Sequence, residues 1–335
     1  MKRLVGGVAG IAAVVTAGWF GWAGLTERAV LGWLDAREAE GWVVIRGDVS
    51  VSGFPTRFAT RLADLSLADP DSGLVWSAPA VLFRQAAWNP SRIEAVWPDR
   101  QTLASPFETL TITAQALRSE LDVQPAARLA LDGARTDMSG LRIDSSLGWS
   151  SQLAQGTLQI LRQGGAGANH AYDIGFAASD LVLPADIARR LDPAGILPAA
   201  IPSLRVDLQA RFDRPWDLGA IETARPQPMR IDLTEARAEW GMLMLRLSGA
   251  VDIDDQGRPT GALAIRAQNW PEMLAMAERA GLLPGSLRQT AENALGFLAA
   301  LSGRREDLDV TLRLDQGFVF LGPLPVGEGP RIRLR

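Results

Sequence analysis

Leu204-Arg205-Val206-Asp207-Leu208-Gln209-Ala210-Arg211-Phe212 alternates apolar and polar side chains without a break. Successive side chains of a strand point to opposite faces, so a period of two marks a half-buried strand in an antiparallel sheet, dry on one side and wet on the other. Outward from this stretch the period returns at Leu243, Leu245, Leu247, Gly249, Val251 and Ile253, and again through residues 117–123, 129–133, 229–233, 263–267 and 308–314. Nearer the N-terminus, Val43, Ile45, Gly47, Val49 and Val51 take one side of a single expected strand against Arg46, Asp48 and Ser50. Apolar parity then switches from even to odd between Leu62 and Leu65, which predicts a β-bulge near Ala63 and Asp64. Turn chemistry punctuates the pattern at residues 69–73, 164–169 and 254–257.

Helices are a minority in the body. Residues 184–191 carry Ile187 and Leu191 four apart. Asn269 is placed to cap a helix with Pro271 in its first turn and Gly281 past its end. Residues 286–301 put Leu287, Ala291, Leu295 and Leu298 on one face, with Gly303 as the stop.

The period is different at the start of the chain. Lys2 and Arg3 precede an uncharged stretch from Leu4 to Leu25, which as a helix spans roughly 33 Å at about 1.5 Å per residue. That length crosses a bilayer. Leu4, Val5, Val8, Ile11, Val14 and Val15 form its apolar body, and Trp19, Phe20, Trp22 and Leu25 lie at the far end, where aromatic rings prefer the interface. The flanking cations orient the N-terminus toward the cytoplasm and the body toward the periplasm, giving a single-pass inner-membrane protein. A cleaved signal peptide is the competing reading, with Val15, Thr16 and Ala17 as a small-residue site, and it exports the same body.

The organisation expected is therefore an anchor or uncleaved signal over residues 1–25, a connecting helix over 26–40 that lifts the body off the membrane, and an exported domain over 41–335. A soft boundary is expected in the proline-rich stretch 192–203. The fold class is mainly β with a few helices (α+β): an N-terminal transmembrane helix followed by a large curved, mostly antiparallel sheet with helices packed on it.

Composition narrows the chemistry. The 335 residues are 47% hydrophobic and 21% charged, with a net charge of -4 spread through the chain, which gives no reason to expect nucleic acid as a partner. With no cysteine, disulfides, thiolate metal sites and thiol nucleophiles are excluded. His170 is the only histidine and follows a glycine-rich turn, so an exposed loop residue is expected. Asp252, Asp254 and Gly257 begin like a calcium loop, but Gln256 and Leu263 stand where ligands belong. No catalytic, cofactor or metal residue is assigned, and an enzyme, such as a lipid or glycan hydrolase, is the least favoured reading.

At Gly53-Phe54-Pro55-Thr56-Arg57-Phe58, just after the first strand, the chain resembles a bacterial envelope family known as domain of unknown function 2125. The run from Leu312 to Pro325 is similar to that family's closing hairpin, and the Asn269-Trp270 helix start fits as well. The resemblance implies structural roles: Gly53, Phe54 and Pro55 shape the corner after the first strand, and Gly317, Gly322 and Pro323 shape the end of the fold. It implies no active site. More distantly, the architecture is similar to AsmA-like envelope proteins, associated with phospholipid handling and outer-membrane assembly. The N-terminal stretch makes the inner membrane an expected partner, and from that likeness either phospholipid, held on an apolar sheet face, or an envelope protein is expected as well.

Overall fold

The computed structural model describes residues 2–126, 128–164, 169–281, 285–301, 307–321 and 324–334; the side chains of residues 2–15 and of several positions in α-helices and the last strand lie outside that description. The chain is mainly β, with its strands hydrogen-bonded antiparallel in one large sheet. It divides into two compact units, Met1–Pro125 with Thr136–Gly148, and Ala126–Arg135 with Trp149–Arg335. The 192–203 stretch falls inside the second unit.

In unit 1 a single helix, α1 (Lys2–Ala39), runs through both the expected anchor and the expected connecting helix. Among the described residues no helix is long and apolar enough to cross a membrane. From Trp19 onward α1 buries one stripe, Trp19, Ala23, Leu34 and Arg37, at helical spacing. That stripe lies on β1 (Val43–Ile45), β2 (Val49–Ser52) and β3 (Arg57–Asp69), so this part of the helix is docked on the sheet rather than a spacer. Leu34, only 1% exposed, sits with Leu62 and Leu65, and Trp33, Trp76 and Phe83 close around them.

The expected strand over 43–51 is two strands, both paired to β3: Val44 opposite Leu67 and Val51 opposite Thr60. The expected bulge is corrected too. Asp64 takes φ +45°, and the register with β4 (Leu74–Ala86) is the same on either side, Ala63 opposite Ala80 and Leu65 opposite Ala78. A left-handed residue thus carries the parity switch without an inserted one. Asp64 faces Pro79, which has no N–H to give a ladder.

At Pro79 the sheet also forks. One half of β4 pairs with β5 (Asn89–Val96) and through it with β8 (Ala116–Val123); the other half pairs with β6 (Arg100–Ala104), which leads to β7 (Thr109–Thr113) and β9 (Leu131–Ser145). Two tryptophans inside this unit satisfy their indole N–H groups: Trp76 donates to Gln101 at 2.8 Å and Trp97 to Ser119 at 2.9 Å.

Unit 2 is an unforked meander. Its strands are β10 (Ser150–Arg162), β11 (Ala171–Leu181), β12 (Ile201–Phe212), β13 (Pro228–Trp240), β14 (Leu243–Ile253), β15 (Pro259–Gln268), β16 (Asp307–Asp315), β17 (Phe318–Leu321) and β18 (Leu324–Glu328), each paired with the next. Helix α2 (Ala185–Leu191) lies in the β11–β12 connection and α3 (Gly219–Glu222) in the next one; α4 (Trp270–Arg279) and α5 (Gly285–Leu301) stand between β15 and β16. Asn269 holds the N-cap position of α4, but in a left-handed conformation with no capping bond; its side-chain amide donates instead to the Met242 carbonyl. Gly303 lies outside the described residues.

Gly249 and Gly261 take φ of +146° and +154°, and a Cβ on either would meet the neighbouring strand's carbonyl oxygen at 2.2 Å. Only glycine allows β14 and β15 to approach this closely.

Candidate functional site

Register decides which side chains of unit 2 share a face. Tyr172, Ala210, Ile231 and Val251 lie side by side across β11 to β14. Ala178, Leu204, Ala238 and Leu245 form a parallel row toward the other end of the same strands. Each row is capped. At the first, Trp216 packs on Tyr172, Ala210 and Phe212, with the Trp216 ring edge-on to Phe212 at 5.5 Å and its backbone N–H donating to the Tyr172 hydroxyl at 3.2 Å. At the second, α4 and α5 bring Trp270, Leu295 and Ala299 onto Ala267, Leu308 and Val310, with Leu245 and Ile265 alongside.

Two rows run between the caps. One runs through Leu158, Phe176, Val206, Ala236 and Leu247 and then passes under the α4–α5 cap at Ile265 and Val310; the other starts at Ile174 and Leu208 beside the Tyr172 cluster and continues through Leu233, Gly249, Leu263 and Leu312. The side chains of Leu158, Phe176, Val206, Ala236, Leu247, Leu233, Leu263 and Leu312 are half-buried, and none of them is in a buried cluster of the described residues. Adjacent strands lie about 4.8 Å apart, so the strip from β10 to β16 is about 29 Å long. It is a continuous apolar band left partly bare in the middle of a sheet face.

The opposite face is a lattice of ion pairs. Arg205 meets Asp207, Arg230 bridges Asp232 and Asp252, Arg237 meets Glu239, and Arg266 meets Asp309. Hydrogen bonds donated to Asp232 and Asp252 hold the Arg230 guanidinium well above its ordinary pKa, and the one donated to Asp207 does the same for Arg205. The hydrogen bond from Arg128 holds Asp217 below the usual carboxylate range, and Arg142 does so for Asp144. These shifts all favour the charged forms, as expected for paired charges rather than for an acid poised to donate.

The remaining candidates resolve one by one. Asp252 is committed to Arg230, and Asp254 accepts from the backbone N–H groups of Gln256 and Arg258 at 2.9 and 2.8 Å, which makes the calcium-like run a self-capped turn. Among the described residues no group of three or more potential ligands is placed to hold a metal. His170, expected to be exposed, is instead half-buried with φ +55°, and its carbonyl accepts the Phe212 N–H; Gly165 to Ala168 lie outside the described residues.

Of the anchor residues, Leu4, Val5, Val8, Ile11, Val14 and Val15 have side chains outside the described set. Trp19 is buried on Phe58, while Phe20, Trp22 and Leu25 are exposed. Gly53 has φ +101°, and a Cβ there would stand 2.7 Å from the Arg57 side chain, so the corner requires glycine. Phe54 is exposed at that corner and its bond to Pro55 is cis. Gln316 and Gly317, at φ +50° and +86°, make a two-residue turn between β16 and β17 of the kind that matches strand twist. Gly322 and Pro323 lie outside the described residues.

The half-bare band was missed as a site because every residue in it reads locally as ordinary core. The signal that finds it is register, which lines up residues from β10 to β16. A family model described as an uncharacterized protein conserved in bacteria (DUF2125) matches residues 19–330. No curated protein and no solved structure matches the chain.

Proposed function

The chain belongs to the DUF2125 family, and on that footing we propose that it is a non-enzymatic protein of the bacterial envelope, held in the inner membrane by residues 4–25, with a periplasmic body whose second unit shelters one acyl chain. The observation that carries this reading is the band of half-buried side chains from Leu158 and Phe176 through Val206 and Leu247 to Leu263 and Leu312. Each methylene laid in such a band contributes about 0.8 kcal/mol. A phospholipid tail or a lipidated partner supplies a dozen or so in a row, and the charged face behind the sheet keeps the body in water.

A second reading, a closed interaction module, draws on the two capped ends, where Trp216 and the α4–α5 pair already bury the sheet. Native mass spectrometry of the purified full chain separates the two. The cradle predicts one retained phospholipid per chain, lost in a Leu233→Gln/Leu247→Gln variant that keeps its circular dichroism spectrum. A chain that stays unliganded after incubation with bacterial phospholipid, or a variant that retains lipid as the parent does, rejects the cradle and leaves the closed module.

A further inference from the structure

The end of unit 1 that carries the Gly53–Phe58 corner is built around the anchor. Trp19 stacks on Phe58 with ring centroids 5.3 Å apart and an interplanar angle of 14°, and its indole N–H donates to the Arg57 carbonyl at 3.1 Å. Phe54 reaches across the helix to stack on Phe20 at 5.8 Å. The β4–β5 hairpin joins them: Ala87 packs on the Trp19–Phe58 cluster and donates its N–H to the Thr56 carbonyl at 3.0 Å, which brings Trp88 alongside.

The direction of the helix follows from the contacts. Trp19 lies at Phe58 and Leu34 lies at Leu62 and Leu65, so α1 and β3 run the same way. Fifteen helical residues rise about 22 Å and the seven strand residues from 58 to 65 rise about 23 Å, so the two elements keep pace along their length. The corner and the hairpin therefore form the tip of unit 1 nearest the apolar N-terminal stretch.

This tip exposes large aromatic side chains: Phe20 at 60%, Trp22 at 49%, Phe54 at 47% and Trp88 at 77%. Beside Trp88 is a cleft of about 580 Å³ lined by Arg57, Arg84 and Arg92 with Glu94 and Glu120. Arg84 pairs with Glu94 and Arg92 with Asp122, whereas Arg57 has no carboxylate partner among the described residues. Aromatic rings and guanidinium groups together suit the headgroup layer of a bilayer, where one end of a side chain is in oil and the other in water. Trp19 precedes Leu25, the end of the uncharged stretch, by about 9 Å of helix, slightly more than the roughly 5–8 Å thickness of that layer, so the tip reaches its inner edge.

We propose that this tip, with Phe54 and Trp88 as its wedges, is seated in the headgroup layer of the membrane that α1 enters, so that unit 1 rests on the bilayer instead of standing off it. The seating rests on the reading that residues 4–25 are an anchor. Arg57 then meets lipid phosphate, and the docked helix fixes the orientation of unit 1 against the bilayer.

The absence of cysteine makes the test direct. The full chain is reconstituted in vesicles of phosphatidylethanolamine and phosphatidylglycerol carrying shallow doxyl-labelled lipid. A polarity-sensitive fluorophore is attached to Phe54→Cys, Trp88→Cys or Phe107→Cys. Phe107, 87% exposed, is the control: its loop touches the 69–73 turn at the far end of β3 and β4, where a Cβ on Gly73 would be 2.8 Å from Pro106. Seating predicts quenching at positions 54 and 88 several-fold above that at 107. Vesicles that float with the chain but quench all three positions equally overturn the seating alone. A chain that fails to float with the vesicles overturns the anchor and the seating together.

Discussion

The two units cover the dry face of a sheet in different ways. In unit 1 the cover is α1, whose stripe from Trp19 to Arg37 runs along β3 and leaves Leu34 with 1% of its surface exposed. In unit 2 the cover is local, Trp216 at one end of the strands and α4 with α5 at the other, and the stretch between them stays only half-buried. The same alternating sequence pattern underlies both faces. What differs is the length of the covering element relative to the strands, and that length decides whether an apolar face becomes core or becomes a surface available to a ligand.

The comparison is most sharply broken or upheld by truncating one leucine in each face. Leu34→Ala leaves a void where the helix meets β3 and is expected to cost about 2–5 kcal/mol. Leu247→Ala removes a side chain already in partial contact with solvent and is expected to cost under about 1.5 kcal/mol. Denaturant midpoints of the two variants, read by circular dichroism, measure the difference; equal losses would mean that the band in unit 2 is closed in solution.

Glycine separates the units next. Gly249→Ala forces a Cβ onto the Ala262 carbonyl oxygen from a backbone conformation that only glycine adopts readily, and about 1–3 kcal/mol of destabilisation is expected. Gly32→Ala, on the exposed side of α1 with nothing within 4 Å of the new Cβ, is expected to stabilise by up to about 1 kcal/mol through helix propensity. Thermal midpoints shifting in opposite directions check the pair.

Much of this difference was legible in the strands and little of it in their covers. Leu204 to Phe212 and Leu243 to Ile253 announced their faces by strict alternation, and β12 and β14 contain those runs. Less alternating strands were harder to read: β10 is rich in serine and glutamine, and β4 carries Pro79 in its middle because its partner changes there. The split of residues 43–51 into two strands needed knowledge of the Asp64 backbone, since a left-handed residue leaves no trace in a hydrophobic pattern. Phe54 and Trp88 are 34 positions apart, and only the register that places Arg57 opposite Ala86 brings them to one tip. The band likewise depends on pairing, which local sequence does not encode.

The smallest effect concerns Tyr172, whose burial against Trp216 marks the capped end of unit 2. It is the chain's only tyrosine, so ultraviolet absorbance of ionised phenol reports this residue alone. Its side chain is 1% exposed, and burial pushes the phenol above its ordinary pKa, partly offset by the N–H that Trp216 donates to the hydroxyl. The unfolded chain therefore releases this proton at lower pH than the folded one. The contribution to stability is fully present below the ordinary phenol value of about 10 and is lost as pH rises from there through the folded value. Tyr172→Phe removes that alkaline loss and, at neutral pH, costs about 0.5–1.5 kcal/mol for the missing acceptor. A native titration midpoint at or below that of free tyrosine would mean that the Trp216 cap is open, and the apolar band would then extend to that end of the strands.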